Sequence, residues 1–112
     1  MSIEAQATAM LELLAAAQHR IVEYPSHTTE FAEGWFAAVE LSRAACESTA
    51  KVWELLPPNG QALPTRMSNR LFAQYDLVHH LAVDGKLEGD YANGFGEFCQ
   101  MAATEIHRAT DR

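Results

Sequence analysis

Basic residues, cysteine and long apolar runs are all scarce in this chain, and each scarcity closes a route. Only eight Lys and Arg stand against fifteen Asp and Glu, for a net charge of −7. A nucleic-acid binder takes its affinity from clustered cations, and here Arg20, Arg43, Arg66, Arg70, Arg108, Arg112, Lys51 and Lys86 are scattered along the sequence. Two cysteines are too few for the disulfide framework of a small secreted scaffold. No apolar run reaches the ~18 residues of a membrane span, and the stretch MSIEAQATAM lacks the basic region and hydrophobic core of a signal sequence. A cytoplasmic protein without a membrane segment is expected.

What is present is apolar content, 48% of 112 residues. A chain of this size buries roughly 65% of its unfolded surface on folding, enough for one domain over residues 1–112 without metal or disulfide support. The apolar positions Ile3, Ala7, Met10, Leu14, Ala17, Ile21 and Tyr24 recur at alternating spacings of four and three, the period of one helical face. Ser2 is placed to cap this helix, and Pro25 ends it. A second, longer helix is expected over about 29–56. Ala32, Trp35, Val39, Ser42, Cys46, Thr49, Trp53 and Leu56 form its apolar register, while Glu33, Glu40, Glu47 and Glu54 repeat every seven residues. Arg43 and Lys51 are spaced to pair with that charge row, whose simplest reading is a solvated face. Pro57, Pro58, Asn59 and Gly60 stop the helix.

A third helix is expected from about Thr65 to Asp84, with Gly85 in the left-handed position after its last turn. A fourth runs from about Gly89 to Ala109, and Gly94 and Gly96 threaten the regularity of its first turns. No alternating β-branched segment competes, so the expected fold is all-α, a four-helix antiparallel domain with one long helix. Glu30-Phe31-Ala32-Glu33-Gly34-Trp35 also resembles Asp90-Tyr91-Ala92-Asn93-Gly94-Phe95: acid, aromatic, Ala, polar, Gly, aromatic. As a true repeat, it predicts similar packing partners at both helix starts.

Helix length carries a further expectation. A helix of roughly 28 residues is about 42 Å long, against a diameter near 34 Å for a compact domain of this size. Its ends should overhang and carry aromatic surface, Phe31, Trp35 and Phe36 at one end and Val52, Trp53, Leu55 and Leu56 at the other, that a homodimer or a foreign protein covers; the alternative is that the first helix and the C-terminal segment cover it within the monomer.

No signature names a reaction. There is no glycine-rich phosphate loop, no G-x-S-x-G and no paired carboxylate with an evident cleft, so no catalytic residue and no cofactor are assigned. Asp76, His80 and Asp84 share one side of the third helix and could hold an ion, but such a row is more often a solvent-facing strip, and no metal site is assigned. Asp84 to Asp90 begins like a calcium loop and then fails, with Lys86 at the third ligand position and Phe95 at the twelfth. Cys46 and Cys99 read as buried hydrophobes.

The acidic, four-segment helical pattern, and the block FAEGWFAAVELSRAACESTAKVWELL from Phe31 to Leu56 in particular, resembles the QslA-like quorum-sensing antiactivators. The resemblance implies a helical homodimer without enzymatic activity that binds the ligand-binding domain of a LuxR-type transcriptional regulator and blocks its dimerisation, and so its DNA binding. On that reading Phe31, Trp35, Phe36 and Val39 are the partner-binding anchors, and Glu33 and Glu40 form their polar rim. Cys46, Thr49, Val52, Trp53 and Leu56 form the dimer interface; the aromatics near Phe31 could equally seal the dimer. The competing readings are a phage-type inhibitor or adaptor of another protein complex, and a small metal- or ligand-binding helical protein.

Overall fold

The computed structural model describes residues 3–55 and 63–110, with the side chains of Ile3, Trp53, Glu54, Leu55 and Thr110 undescribed. It has four helices, α1 (Ile3–Gln18), α2 (Thr29–Leu55), α3 (Leu63–Val83) and α4 (Gly89–Thr110), and no strand among the described residues. Their order and type are those the apolar periodicity predicts. Ser2, Leu56 and the Pro57–Gly60 stop lie outside the described residues.

One difference is local. The expected single helix to Tyr24 tightens after Gln18 into a 3₁₀ segment, His19–Glu23. The tightening leaves the Gln18 carbonyl for the Trp35 indole N–H, which donates to it at 2.9 Å. That bond gives the indole the polar partner that a buried Trp needs. Arg20 in the same segment pairs with Glu23 and with Glu105 of α4, both at 2.7 Å.

The two connections between helix pairs have the same length, residues 24–28 and 84–88. In the first, Thr28 caps α2 by accepting the Phe31 N–H at 3.1 Å, and its hydroxyl donates to Asp90 at 3.1 Å. In the second, Glu88 caps α4 by accepting from the Asp90 and Tyr91 N–H groups at 3.1 and 2.8 Å. Gly85 takes φ +72°, as expected, and the bonds Gly85 N–H to Ala82 and Lys86 N–H to Leu81 close the end of α3.

A sixty-residue offset thus relates the ends of the first and third helical segments, Glu23 and Val83, and the starts of the second and fourth, Thr29 and Gly89. The two similar hexapeptides obey the same offset, and the structure shows what they do. They pack against each other. A β-carbon on Gly34 would collide with the Tyr91 carbonyl oxygen, and one on Gly94 with the Phe31 carbonyl oxygen. Each glycine admits the backbone of the opposite helix, and the two contacts are reciprocal. Around them α2 and α4 run side by side in one direction, through Thr28 with Asp90 and Trp35 with Phe98. Despite its glycines, α4 is helical from Gly89. Gly96 leaves room for the Tyr75 ring, which would stand 3.1 Å from a β-carbon there.

Among the described residues the expected overhang is not seen at the Phe31 end of α2, while Leu56 and the side chains of Trp53 and Leu55 lie outside the described residues. At 27 residues α2 is about 40 Å long, and the domain's long axis is 40 Å. The reason is shape: the bundle measures 40 × 28 × 21 Å and so matches its longest helix, where a sphere would not. Trp35 is fully buried, with Tyr24 and Phe98 centroids each 5.4 Å from its ring.

Gly34→Ala and Gly94→Ala should each lower stability by about 3 kcal/mol, because the clash outweighs the helix propensity that Ala adds. Gly89→Ala, which meets nothing within 4 Å, should stay within about 0.5 kcal/mol of the parent in the same urea melts. Equal effects at all three positions would contradict the close approach.

Candidate functional site

The residues expected to bind a partner separate by face. Trp35 and Val39 are 0% and 1% exposed and pack inside the chain. They are core residues, not surface anchors, a correction to the partner-binding expectation: cover within the chain, by α4 through Phe98 and by Tyr24, takes the place of a partner at Trp35. Phe31 is half-buried, its ring 5.5 Å from Tyr24 and stacked on Trp35 at 6.2 Å. Its outer edge joins Tyr24, Pro25, Ser26 and His27 around a shallow, open depression of about 280 Å³. The loop is held in shape by His27, whose Nδ1 bonds the Tyr24 carbonyl, and by Tyr24, whose hydroxyl donates to Glu97 at 3.2 Å.

On the opposite side of α2, Phe36 is 44% exposed, and Glu33 and Glu40 flank it in solvent one turn away in each direction. Glu47 is exposed as well, and Arg43 reaches Glu40 at 3.7 Å. The charge row is a solvated face among the described residues, about 10.5 Å between successive carboxylates. An aromatic side chain therefore stands among carboxylates on a helix whose other face is fixed in the core.

The expected dimer residues also divide. Cys46 is fully buried. Thr49 is half-buried and Val52 is 52% exposed, and both line a groove with Ser48, Arg66, Asn69 and Arg70 between the second half of α2 and the start of α3. The Trp53 side chain and Leu56 lie outside the described residues. In the sequence Arg66 and Arg70 stand among scattered cations. Their spacing of four is a signal that could have found them, but the α2 hydroxyls beside them are visible only in three dimensions.

Asp76, His80 and Asp84 are all exposed, and no three His, Cys, Asp or Glu side chains among the described residues group as a metal ion requires. The two cysteines are free and buried. Burial pushes the Cys99 thiol up to about 12 from its ordinary 9.0, opposed by the Gln74 side-chain amide that donates to its sulfur at 3.6 Å. Burial first, then the Glu47 charge, raises Cys46. Gln74 also donates to the buried Ser42 hydroxyl at 3.4 Å, so one amide joins α2, α3 and α4 inside the core.

No family model, no curated protein and no solved structure matches the chain.

Two outcomes follow. Trp35→Ala should cost about 4 kcal/mol, as a large core truncation does, while Phe36→Ala stays within about 1 kcal/mol of the parent; thermal melts followed by helical ellipticity separate the two. Both thiols should resist alkylation by iodoacetamide at pH 8 in the folded protein and react in 6 M guanidinium, read by mass. With the folded Cys99 near 12 and the unfolded thiol near 9.0, this contribution to stability is complete below pH 9 and is lost as pH rises toward 12.

Proposed function

We propose that this chain acts by contact with another protein and that it performs no chemistry of its own. The outer face of α2 serves as a rigid recognition helix. The observation that supports this reading is Phe36, 44% exposed, between Glu33 and Glu40, on a helix anchored from behind by Gly34, Trp35 and Val39. An aromatic in a polar rim is the composition of an interface hot spot, and a helix already fixed in place loses little conformational freedom on binding. Laid in an apolar groove, such a helix recognises a partner by its side chains at three- and four-residue spacing.

The partner that the Phe31–Leu56 resemblance implies is the ligand-binding domain of a LuxR-type transcriptional regulator. On this proposal the chain covers the surface by which the regulator dimerises, and a monomeric regulator does not hold its two-fold DNA site. The acidic rim favours a basic patch on that surface and speeds encounter with it. Competition of this kind is stoichiometric: each molecule of inhibitor silences one site, and none turns over.

Titration of a purified LuxR-type ligand-binding domain by calorimetry tests the reading. Saturable binding is expected for the parent chain, about 30-fold weaker for Phe36→Asp, with unchanged helical ellipticity in the variant. Absence of binding contradicts the named partner. Equal binding by Phe36→Asp contradicts the outer face of α2 as the contact surface.

A further inference from the structure

The loop that joins the 3₁₀ segment to α2 gathers aromatic rings at the surface. Tyr24, Pro25, Ser26, His27 and Phe31 line its shallow, open depression of about 280 Å³. The Phe31 ring stands 5.5 Å from Tyr24 and 5.9 Å from His27, centroid to centroid, tilted by 39° and 34°. Three rings therefore wall one small space, and Pro25 adds an aliphatic edge.

The walls are held from behind. Phe31 stacks on the fully buried Trp35 at 6.2 Å, and Tyr24 lies 5.4 Å from the same indole. The Tyr24 carbonyl accepts from the backbone N–H and from Nδ1 of His27, which fixes the imidazole against the loop. At its far end the Tyr24 hydroxyl donates to Glu97 at 3.2 Å. Burial first, and then the Glu97 charge, push that hydroxyl above its ordinary 10.0, so Tyr24 is an uncharged wall at neutral pH. A site whose walls are already fixed loses little conformational freedom on binding.

Aromatic faces are electron-rich and attract a cation placed over them. The surrounding charge favours the same occupant. Glu23 and Glu30 adjoin Tyr24 and Phe31 in the chain, Glu97 holds Tyr24, and Asp90 accepts from the Thr28 hydroxyl at 3.1 Å. Arg20, the cation of this segment, is already engaged by Glu23 and Glu105, both at 2.7 Å. The lining then selects the kind of cation. A primary ammonium needs an acceptor for each N–H, and a lining that is mostly ring and Pro25 surface offers few. A methylated ammonium has no such need and presents charged methyl surface to the rings. At about 280 Å³ the space lies just below the range of drug-sized sites, which suits a compact head group. We propose that this depression binds a small molecule carrying a trimethylammonium group. It lies across α2 from Phe36, Glu33 and Glu40, so it does not rest on the protein contact proposed above.

Tetramethylammonium and tert-butanol are suitable probes, because they are close in size and shape and differ in charge. Each is titrated into the full chain at constant ionic strength and followed by the proton chemical shifts of Tyr24, His27 and Phe31. Saturable shifts are expected with tetramethylammonium, and binding about fivefold weaker or more with tert-butanol. Phe31→Leu keeps apolar bulk and loses the ring face, and should weaken tetramethylammonium binding about fivefold or more. Phe72→Leu, which alters a 40% exposed ring on α3, should leave the affinity unchanged. Thermal melts confirm that both variants are folded, and the comparison of the two probes on the parent chain needs neither variant. No saturable shift with tetramethylammonium overturns the proposal. Equal affinity for the two probes also overturns it, because the site is then merely apolar, and so does an equal loss in Phe31→Leu and Phe72→Leu. Co-sedimentation with phosphatidylcholine vesicles in the absence of tetramethylammonium binding overturns it as well, by making the ligand a membrane surface.

Discussion

The reciprocal entry of two glycines into the opposite helix backbone, Gly34 against Tyr91 and Gly94 against Phe31, is the constraint on which the rest of this structure depends. In an up-down-up-down bundle the second and fourth helices are diagonal neighbours, usually separated by the core. Here the missing β-carbons let α2 and α4 touch, and these two helices pack against each other as extensively as α3 and α4 do. The large side chains beside the glycines are then displaced to the two flanks of the contact. Trp35 turns toward Tyr24, Phe98 and the Gln18 carbonyl. Tyr75 of α3 fills the space that Gly96 leaves on the other flank.

That geometry also explains which parts of the molecule were legible in its sequence. Helix positions were, because apolar periodicity, Pro25 and Gly85 act locally and each leaves a mark within a few residues. The 3₁₀ tightening after Gln18 was not, because it coincides with a bond from Trp35, seventeen residues away. The similarity between the two hexapeptides was visible, and so was the removal of bulk at their Ala and Gly positions. That each is the other's packing partner was not visible, since a spacing pattern describes a face and does not say what covers it. The same gap explains Trp35 and Val39: both belong to a correct apolar register, but whether such a register meets a partner protein or α4 is a tertiary fact. That Arg66 and Arg70 share one groove with Ser48 and Thr49 is likewise a tertiary fact.

The two sides of α2 have different physical roles. Its inner face is held at points spread along the helix, by Gly34 and Trp35 near its start and by Ser42, which Gln74 reaches, at mid-length. An element fixed in this way presents its outer side chains with little freedom, which is the condition under which a single exposed aromatic contributes most to association. The solvated glutamates on that face add little to fold stability, since exposed ion pairs such as Glu40 with Arg43 contribute only about 0–1 kcal/mol. On the function proposed above, fold and recognition are divided between opposite faces of one helix.

The reciprocal glycine contact between α2 and α4 has a direct spectroscopic signature in the unaltered protein. Nuclear Overhauser contacts should link the Gly34 α-protons to the backbone of Tyr91, and the Gly94 α-protons to the backbone of Phe31, with comparable intensity in both pairs. Their joint presence is the result the account predicts. Gly34 and Gly94 α-protons that contact only side chains, or only residues of their own helices, would contradict it.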